Sequence, residues 1–312
     1  MTRVAGIDCG TNSIRLLVAD VTVPDSASGA GSTGELVELD RRMTIVRLGQ
    51  GVDKTGRLAP EALERTFAAC REYAEVIKEL GAERLRFVAT SASRDAENRE
   101  DFVNGVVEIL GVEPEVITGD QEAAFSFTGA TGELHGTETY LVVDIGGGST
   151  EFVTGNKHVE AARSVDIGCV RLTERHVRHD PPTAEEAEAI RADVRAALDL
   201  AAETVPITTA GTLVGLAGSV TTVAAIALGL PEYDSEKIHH ARISAAQVAE
   251  VTDRLLASTH AERAAIPVIH PGRVDVIIAG ALVLREIVER VGASEVVVSE
   301  HDILDGIALS VA

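Results

Sequence analysis

Hydrophobic and polar positions follow two periods along this chain, short apolar runs bounded by turn residues and longer stretches with apolar residues three or four positions apart. The first pattern predicts buried strands and the second predicts amphipathic helices. The strongest helix signal begins at Pro60 and ends near Leu80, before Gly81. The other predicted strands are 4–7, 14–20, 38–48, 85–90, 115–117, 140–143, 152–153, 160–165, 213–217 and 295–299. The other predicted helices are 99–110, 123–132, 183–204, 245–258, 261–266 and one that follows 275 and runs through 284 to 291, with further helices starting after 168, after 218 and near 302.

Two stretches, half a chain apart, repeat the pattern Asp-x-Gly-x-x-Ser between predicted strands. The first is Asp8-Cys9-Gly10-Thr11-Asn12-Ser13, and the second is Asp144-Ile145-Gly146-Gly147-Gly148-Ser149, followed by Thr150. Glycines let backbone N–H groups converge on an anion, hydroxyls add donors, and an aspartate at a strand end can hold a cation. One such hairpin often has no ligand, but two predict a duplicated domain with two phosphate-binding hairpins at a shared cleft.

Composition limits the class of protein. A chain of 312 residues with 45% apolar residues is long enough for two domains. No apolar run approaches the roughly 20 residues of a membrane span, and no signal-peptide pattern precedes the first strand. We expect a soluble cytoplasmic protein without a membrane partner. Cys9, Cys70 and Cys169 lack metal-ligand spacing and suit a reducing compartment as core residues.

The formal net charge of −21 and the absence of Trp argue against a nucleic-acid partner, which needs a basic surface and stacking platforms. A polyanionic substrate would have to be held by local arginines, backbone donors and metal ions. The polar segment 23–34 is expected to be a mobile loop without chemistry.

Several other stretches have both a structural and a functional interpretation. Residues 89–98 suit a solvated strand-to-helix loop with an N-cap, Asp120 and Glu122 suit the capping of a helix N-terminus, and Arg171 suits either an exposed first turn or a ligand. Gly218 and Ser219 suit either an anion site at a helix N-terminus or packing. His239, His240, His270 and His301 show no zinc-like spacing and are interpreted as structural.

Taken together, the motifs resemble the Ppx/GppA exopolyphosphatases and guanosine pentaphosphate phosphohydrolases, within the acetate kinase, sugar kinase, Hsp70 and actin superfamily. The similarity runs from Val4 to about Ala308 and includes the stretches Thr90-Ser91-Ala92-Ser93-Arg94, Gly168-Cys169-Val170-Arg171-Leu172-Thr173 and Pro271-Gly272-Arg273. The resemblance implies an α/β fold with two ribonuclease-H-like (actin-like ATPase) domains and a phosphate-binding cleft between them. The expected domains are 1–130 and 131–301, with a C-terminal helix at 302–312 that packs on the first.

The resemblance also implies roles for individual residues. Glu122 matches the family's general base, although Asp120 and Gln121 replace its two preceding acids, which puts the role of those neighbours in doubt. Mg²⁺, or Mn²⁺, would be held by Asp144 and Glu151 with Asp8. Arg94 and Arg15 would hold penultimate phosphates, and Arg273 distal phosphates or a base. The phosphate-binding set is completed by Gly10, Thr11, Asn12, Ser13, Gly146, Gly147, Gly148, Ser149, Thr150, Gly218 and Ser219.

The activity implied is hydrolysis of the terminal phosphoanhydride of inorganic polyphosphate, of pppGpp to ppGpp, or of both, by a homodimer. Longer family members append a helical C-terminal region that this sequence lacks, which favours short polyphosphate or pppGpp. Two alternatives remain open at this stage. One is a small-molecule kinase of the superfamily, and the other is a non-catalytic ppGpp sensor.

Overall fold

The computed structural model describes residues 1–22, 35–134, 136 and 138–311. The loop predicted at 23–34 lies outside the described residues. The described chain forms two compact units, one made of Met1–Leu134 and Asp302–Ala312 and the other of His135–His301. The division into domains 1–130 and 131–301 stays a prediction.

The first unit is built on a five-stranded sheet with helices on both faces. Its elements in chain order are β1 (Thr2–Cys9), β2 (Ser13–Thr22), β3 (Glu35–Ile45), α1 (Val52–Thr55), α2 (Pro60–Leu80), β4 (Arg84–Ala89), α3 (Ser91–Asp95), α4 (Arg99–Leu110), β5 (Glu115–Val116) and α5 (Gly119–Thr131), and the final helix of the chain, Ile303–Val311, returns to it.

The second unit contains a six-stranded sheet. Its elements are β6 (Tyr140–Ile145), β7 (Thr150–Gly155), β8 (Val159–Val165), α6 (Cys169–His176), α7 (Ala184–Ala202), β9 (Thr212–Leu216), α8 (Ala217–Ala227), α9 (Ser235–Ile238), β10 (Arg242–Ser244), α10 (Ala245–Ala257), α11 (His260–Ala264), a 3₁₀ turn (Pro271–Arg273), α12 (Ile277–Val291) and β11 (Glu295–Val298). The final helix is α13.

The two sheets have the same arrangement of strands. The first has the order β3-β2-β1-β4-β5, and the second has β8-β7-β6-β9-β11 with β10 added at the far edge. In each, two antiparallel hairpin pairings are followed by parallel pairings, β1 with β4 and β4 with β5, then β6 with β9 and β9 with β11. Both glycine motifs therefore lie at the bend of the hairpin that begins their sheet.

Each sheet is covered by helices whose apolar residues the pattern predicted. In the first unit one core joins the sheet to α2 and α4, where Phe87 and Phe102 meet edge to face at 6.1 Å. The other face is covered by α13, through Leu304 and Ala308 on β1 and β2. In the second unit one large core joins the sheet to α7, α8, α10 and α12.

Most predicted elements are present with small shifts, and a few features differ. The predicted strand at 38–48 begins at Glu35 and ends at Ile45, because its pairing with β2 starts at Thr22. Sequence periodicity predicted neither the one-turn helices α1 and α9 nor the three-residue strand β10, since elements this short contain less than one full repeat. No helix in the described part of the chain is long and apolar enough to cross a membrane.

Candidate active site

The two Asp-x-Gly-x-x-Ser bends close with the same hydrogen bond. Gly10 N–H donates to Ser13 O at 2.9 Å, and Gly146 N–H donates to Ser149 O at 3.1 Å. The aspartate two residues before each of these glycines is the next-to-last residue of a central strand and is buried. The repeated sequence therefore folds into a repeated local structure, with a buried carboxylate beside each bend.

The second bend is held from one side by the start of α6. Cys169 N–H donates to Gly146 O at 3.0 Å, and the N–H groups of Val170 and Arg171 donate to Gly147 O at 2.9 and 3.1 Å. The Arg171 side chain adds a bond from Nε to Gly148 O at 2.7 Å. Three consecutive carbonyls of the glycine bend are thus fixed.

This support fixes the direction of the N–H groups as well. In a trans peptide the N–H points opposite to the preceding carbonyl, so the N–H groups of Gly147, Gly148 and Ser149 point away from α6. Among the backbone hydrogen bonds of loops and turns in the described residues, none has one of these three N–H groups as its donor. N–H groups on one side of such a bend are compatible with anion binding, and the predicted contact of this bend with phosphate stays a prediction.

Gly168 and Thr150 complete the support of the second bend. A Cβ added at Gly168 would lie 2.3 Å from the carbonyl carbon and oxygen of Gly147, so only glycine lets α6 approach this closely. The buried Thr150 hydroxyl donates to Ile167 O, and its predicted role in phosphate binding stays a prediction. The exposed alternative for Arg171 is also wrong, because its side chain is only 13% exposed and bonds to the bend.

The first bend is held in a comparable way by the segment after β3. Gly49 N–H donates to Thr11 O at 2.9 Å, while Val46 and Arg47 N–H donate to Asn12 O at 3.1 and 2.9 Å. The Thr11 hydroxyl lies 2.9 Å from that of Ser91 in α3. Ser91 and Ser93 are buried, so the solvated-loop interpretation of this stretch is wrong, because its small residues pack beneath the bend.

Four buried polar atoms at and near the first bend have no hydrogen-bond partner among the described residues. They are Asp8 Oδ1, both amide atoms of Asn12, and Ser93 Oγ. Leaving such atoms unsatisfied costs roughly 1–3 kcal/mol each. A ligand with both oxygen atoms and a bound cation would satisfy carboxylate, amide and hydroxyl together.

Arg15 is bound to carboxylates on two sides. Its Nε and Nη2 donate to Asp8 Oδ2 at 3.0 and 2.6 Å, and its Nη1 donates to Asp302 Oδ2. Burial raises the pKa of Asp8, and the neighbouring Arg15 opposes that rise. Arg15 is paired with two acids and binds Asp8 in this structure. Its predicted contact with phosphate stays a prediction.

Arg94 and Glu122, predicted separately, lie together. Arg94 Nη1 is 3.3 Å from Glu122 Oε2 and donates to Ile117 O at 3.0 Å. Glu122 is buried, and it does not cap α5, whose capping box is formed by Thr118 and Gln121. The N-cap role thus belongs to Thr118, while Asp120 and Glu122 lie in the first turn of α5, where the macrodipole favours acids as the structural interpretation predicts.

Asp144 and Glu151 face each other across the second hairpin. They are paired residues of β6 and β7, so both side chains project from the same face of the sheet, and both are buried. Ser164 on β8 donates to Glu151 Oε1 at 2.7 Å. Two adjacent carboxylates are a donor set that a hard divalent cation prefers, so these residues fit the predicted metal role.

Gly218, Ser219 and Arg273 also come together, but differently from the prediction. The helix begins at Ala217, with φ +66, so alanine rather than glycine makes the turn. Gly218 lies inside α8, where an added Cβ would be 1.8 Å from Arg273 Nη1. Gly218 therefore leaves room for the Arg273 guanidinium, which agrees with the packing interpretation of this glycine.

Three of the four histidines that the sequence analysis interprets as structural are stacked in the second unit. The His239 ring lies 3.8 Å from that of His240 and 4.5 Å from that of His301, measured between centroids. His239 Nδ1 accepts the Glu300 N–H at 3.1 Å. Spacing along the sequence did not reveal this cluster because β11 brings its end beside the segment that precedes β10.

The cysteines fit the predicted core positions. All three are free and buried. Burial raises the pKa of Cys9 well above its usual range and raises that of Cys70 to about 12. Burial also raises the pKa of Cys169. A thiol with a raised pKa is protonated and inert, so none of these residues acts as a nucleophile at neutral pH.

Comparison with known proteins identifies the family. The model of the Ppx/GppA phosphatase family matches residues 26–312. Exopolyphosphatase 2 of Mycobacterium tuberculosis is 52% identical over 323 aligned positions, which cover 100% of this chain and 99% of that protein. This chain belongs to the Ppx/GppA phosphatase family. The sequence resemblance is therefore confirmed.

Solved Ppx/GppA structures agree with the fold. A crystal structure of an exopolyphosphatase-like protein is 45% identical, with a TM-score of 0.92, and covers 99% of this chain and 98% of its own. The Ppx/GppA protein of Aquifex aeolicus is 31% identical, with a TM-score of 0.79 and coverages of 99% and 97%. The predicted two-sheet α/β fold is confirmed, whereas the cleft between the domains and the assigned site residues stay predictions.

Proposed function

We propose that this chain is an exopolyphosphatase, which hydrolyses the terminal phosphoanhydride bond of inorganic polyphosphate. The observation that carries the proposal is the second glycine bend, whose carbonyls are bound by α6 and whose N–H groups turn to the other side. A terminal phosphoryl group carries spread negative charge, which such a set of N–H donors stabilises. The full-length relative named as an exopolyphosphatase supports the same conclusion.

In this proposal, backbone N–H groups and side chains have different roles. The N–H groups of Gly147, Gly148 and Ser149 bind the terminal phosphoryl group. Glu122 accepts a proton from the attacking water, and Arg94, which lies beside it, binds a penultimate phosphate while keeping the carboxylate in place. Water as the acceptor distinguishes this reaction from that of a kinase.

A divalent cation fits the acids described above. Asp144 with Glu151, and Asp8 through its open Oδ1, would hold Mg²⁺ or Mn²⁺. When bound, such a cation neutralises charge on the phosphoryl oxygens. The protein's own residues supply the orientation, since Ser164 holds Glu151 and Arg15 holds Asp8.

The test is phosphate release from short polyphosphate, long polyphosphate, pppGpp and ATP, measured in parallel with Mg²⁺ and with Mn²⁺. Glu122→Gln should reduce turnover by about 10²- to 10⁴-fold and leave substrate binding intact, because only the proton acceptor is lost. Asp120→Asn is the matched control, since Asp120 is an exposed acid in the same helical turn. Unchanged turnover in Glu122→Gln would remove the assigned base.

The same assays separate the alternatives. Transfer of phosphate from ATP to a small acceptor would indicate a kinase. Tight ppGpp binding without turnover of pppGpp or polyphosphate would indicate a sensor. The preference for short polyphosphate or pppGpp and the homodimer are part of the proposal, and light scattering of the purified chain tests the dimer.

A further inference from the structure

Asp302 binds the arginine that holds Asp8. Asp302 is the last residue before α13, and it is 3% exposed. One of its oxygens accepts the Leu304 N–H at 3.0 Å, and the other accepts from Arg15 Nη1. Asp302 thus connects the start of α13 to β2 just after the first glycine bend, 287 residues earlier in the sequence.

The way Arg15 divides its donors is unusual for an arginine–aspartate pair. A guanidinium normally binds a carboxylate with two parallel bonds, one to each oxygen. Here Nε and Nη2 both donate to Asp8 Oδ2, at 3.0 and 2.6 Å, and Oδ1 receives no hydrogen bond from the described residues. Asp8 is 4% exposed, so bulk water does not readily satisfy Oδ1.

The same hairpin contains an ordinary pair for comparison. Arg3 and Asp20 are cross-strand partners on β1 and β2, as are Asp8 and Arg15. Arg3 Nε donates to Asp20 Oδ1 at 2.8 Å, and Nη2 donates to Oδ2 at 3.0 Å, so both oxygens are used. The third donor of Arg3 binds the neutral carbonyl of Leu80 rather than a second acid.

The difference between the two pairs is the second carboxylate. Asp302 attracts the guanidinium of Arg15 from the other side and keeps it from centring on Asp8. Arg41 and Asp305 form a second ion pair at the same end of α13, and Asp305 accepts the Asp302 N–H at 2.9 Å. Asp302 is therefore held in place by α13 and its neighbours rather than by Arg15 alone.

We propose that Asp302 is a positioning residue for Asp8, which keeps Asp8 Oδ1 open for a divalent cation by taking the third donor of Arg15. This inference rests on the proposed metal role of Asp8. Without Asp302, Arg15 can turn to bind both oxygens of Asp8, as Arg3 binds Asp20, and the oxygen offered to the cation is then covered.

The experiment measures Mn²⁺ binding to the full chain without substrate, by calorimetry or by electron paramagnetic resonance. Asp302→Asn should raise the dissociation constant for Mn²⁺ about tenfold or more, the usual effect of removing a residue that orients a metal ligand. Asp20→Asn, which removes the acid of the ordinary pair, should leave it unchanged. Glu286→Gln, a comparably buried acid that binds Arg195 in the second unit, should lower stability without this change in affinity.

A double-mutant cycle distinguishes positioning from general destabilisation. If Asp302 acts through Asp8, Asp302→Asn should cause no further loss of affinity in an Asp8→Asn background, because interacting residues are not additive. Additive losses would overturn the proposal, as would equal affinity of Asp302→Asn and the wild type, or an absence of Mn²⁺ binding by the wild type. If Asp302→Asn does not fold, Asp302→Ser replaces it, since serine can still accept the Leu304 N–H.

The outcome is separable from that of the proposed function. If the wild type binds Mn²⁺ in an Asp302-dependent manner but releases no phosphate from any substrate, the proposed function fails and this inference stands. If it releases phosphate but its Mn²⁺ affinity does not depend on Asp302, this inference fails and the proposed function stands.

Discussion

Gly168 shows how much a single residue determines at the second glycine bend. A side chain at this position would have to occupy the space of the Gly147 carbonyl group, 2.3 Å away. The neighbouring N–H bonds from Cys169 and Val170 to the bend depend on that close approach. Glycine is therefore required at this position so that α6 can pack against the bend, and not because it reacts.

We expect Gly168→Ala to lower kcat/KM for tripolyphosphate about 10²-fold, because a displaced bend no longer presents its N–H groups at the correct distance. Steady-state kinetics measure the effect. Gly132→Ala is the control, since its added Cβ meets only Thr128 O at an ordinary 3.5 Å. Equal activity of Gly168→Ala and the wild type would mean that the bend tolerates displacement or takes no part in binding.

For single residues, the sequence indicates which positions belong to the candidate site better than it indicates which residues they contact. Asp8, Asp144 and the glycines were predictable because strand ends and glycine bends have local signatures. Gly168 belongs to a motif that the sequence reveals, but its contact with Gly147 depends on how α6 packs. The bond between Arg15 and Asp302 was equally hidden, because it joins residues far apart in the chain. Ala217, at φ +66, takes a conformation for which a glycine would be expected.

At the scale of elements, Asp180 connects the loop before α7 to the short helix α11. Its carboxylate oxygens accept the His260 N–H at 2.9 and 2.7 Å, and Arg263 Nη2 donates to Oδ1 at 3.1 Å. The His260 hydrogen bond is the main reason that the pKa of Asp180 is lowered, with Arg263 adding to it, although partial burial opposes the shift.

A lowered pKa gives this contact a definite pH dependence. The unfolded chain binds the proton more tightly, so the stabilisation is present above the ordinary aspartate pKa of about 4 and is lost as pH falls through the lower, folded value. The melting-temperature difference between the wild type and Asp180→Asn should be largest near about pH 6 and should shrink towards about pH 3. Glu160→Gln, an exposed acid on β8, is the control. A difference independent of pH would contradict the assignment.

Elements were predictable from sequence where their signals were long. The helix from Pro60 to Leu80 has its predicted bounds, because proline at its start and Gly81 at its end, with φ +70, are strong local signals. A solvated loop is one of two interpretations of residues 89–98, because the small and polar residues of this stretch are poor core material. Its burial depends on contacts with the bend at Thr11, and no local pattern contains that information.

At the scale of the whole molecule, the net charge of −21 opposes the approach of a polyanion. We expect kcat/KM for tripolyphosphate to rise about twofold or more when salt increases at constant free Mg²⁺, because screening weakens long-range repulsion. kcat at saturating substrate should stay constant, since it does not depend on encounter. A fall in kcat/KM with salt would indicate that local arginines dominate the field at the site.

The return of α13 to the first unit has a consequence for biosynthesis. Leu304 and Ala308 cover Val4 and Leu17, and Ile307 covers Val88, yet these helix residues leave the ribosome after the entire second unit. Until α13 is synthesised, one apolar face of the nascent first sheet is exposed, whereas the second unit already contains all of its strands. We expect the later-made half to reach its native state first, and the earlier-made half to be the one that engages chaperones during translation.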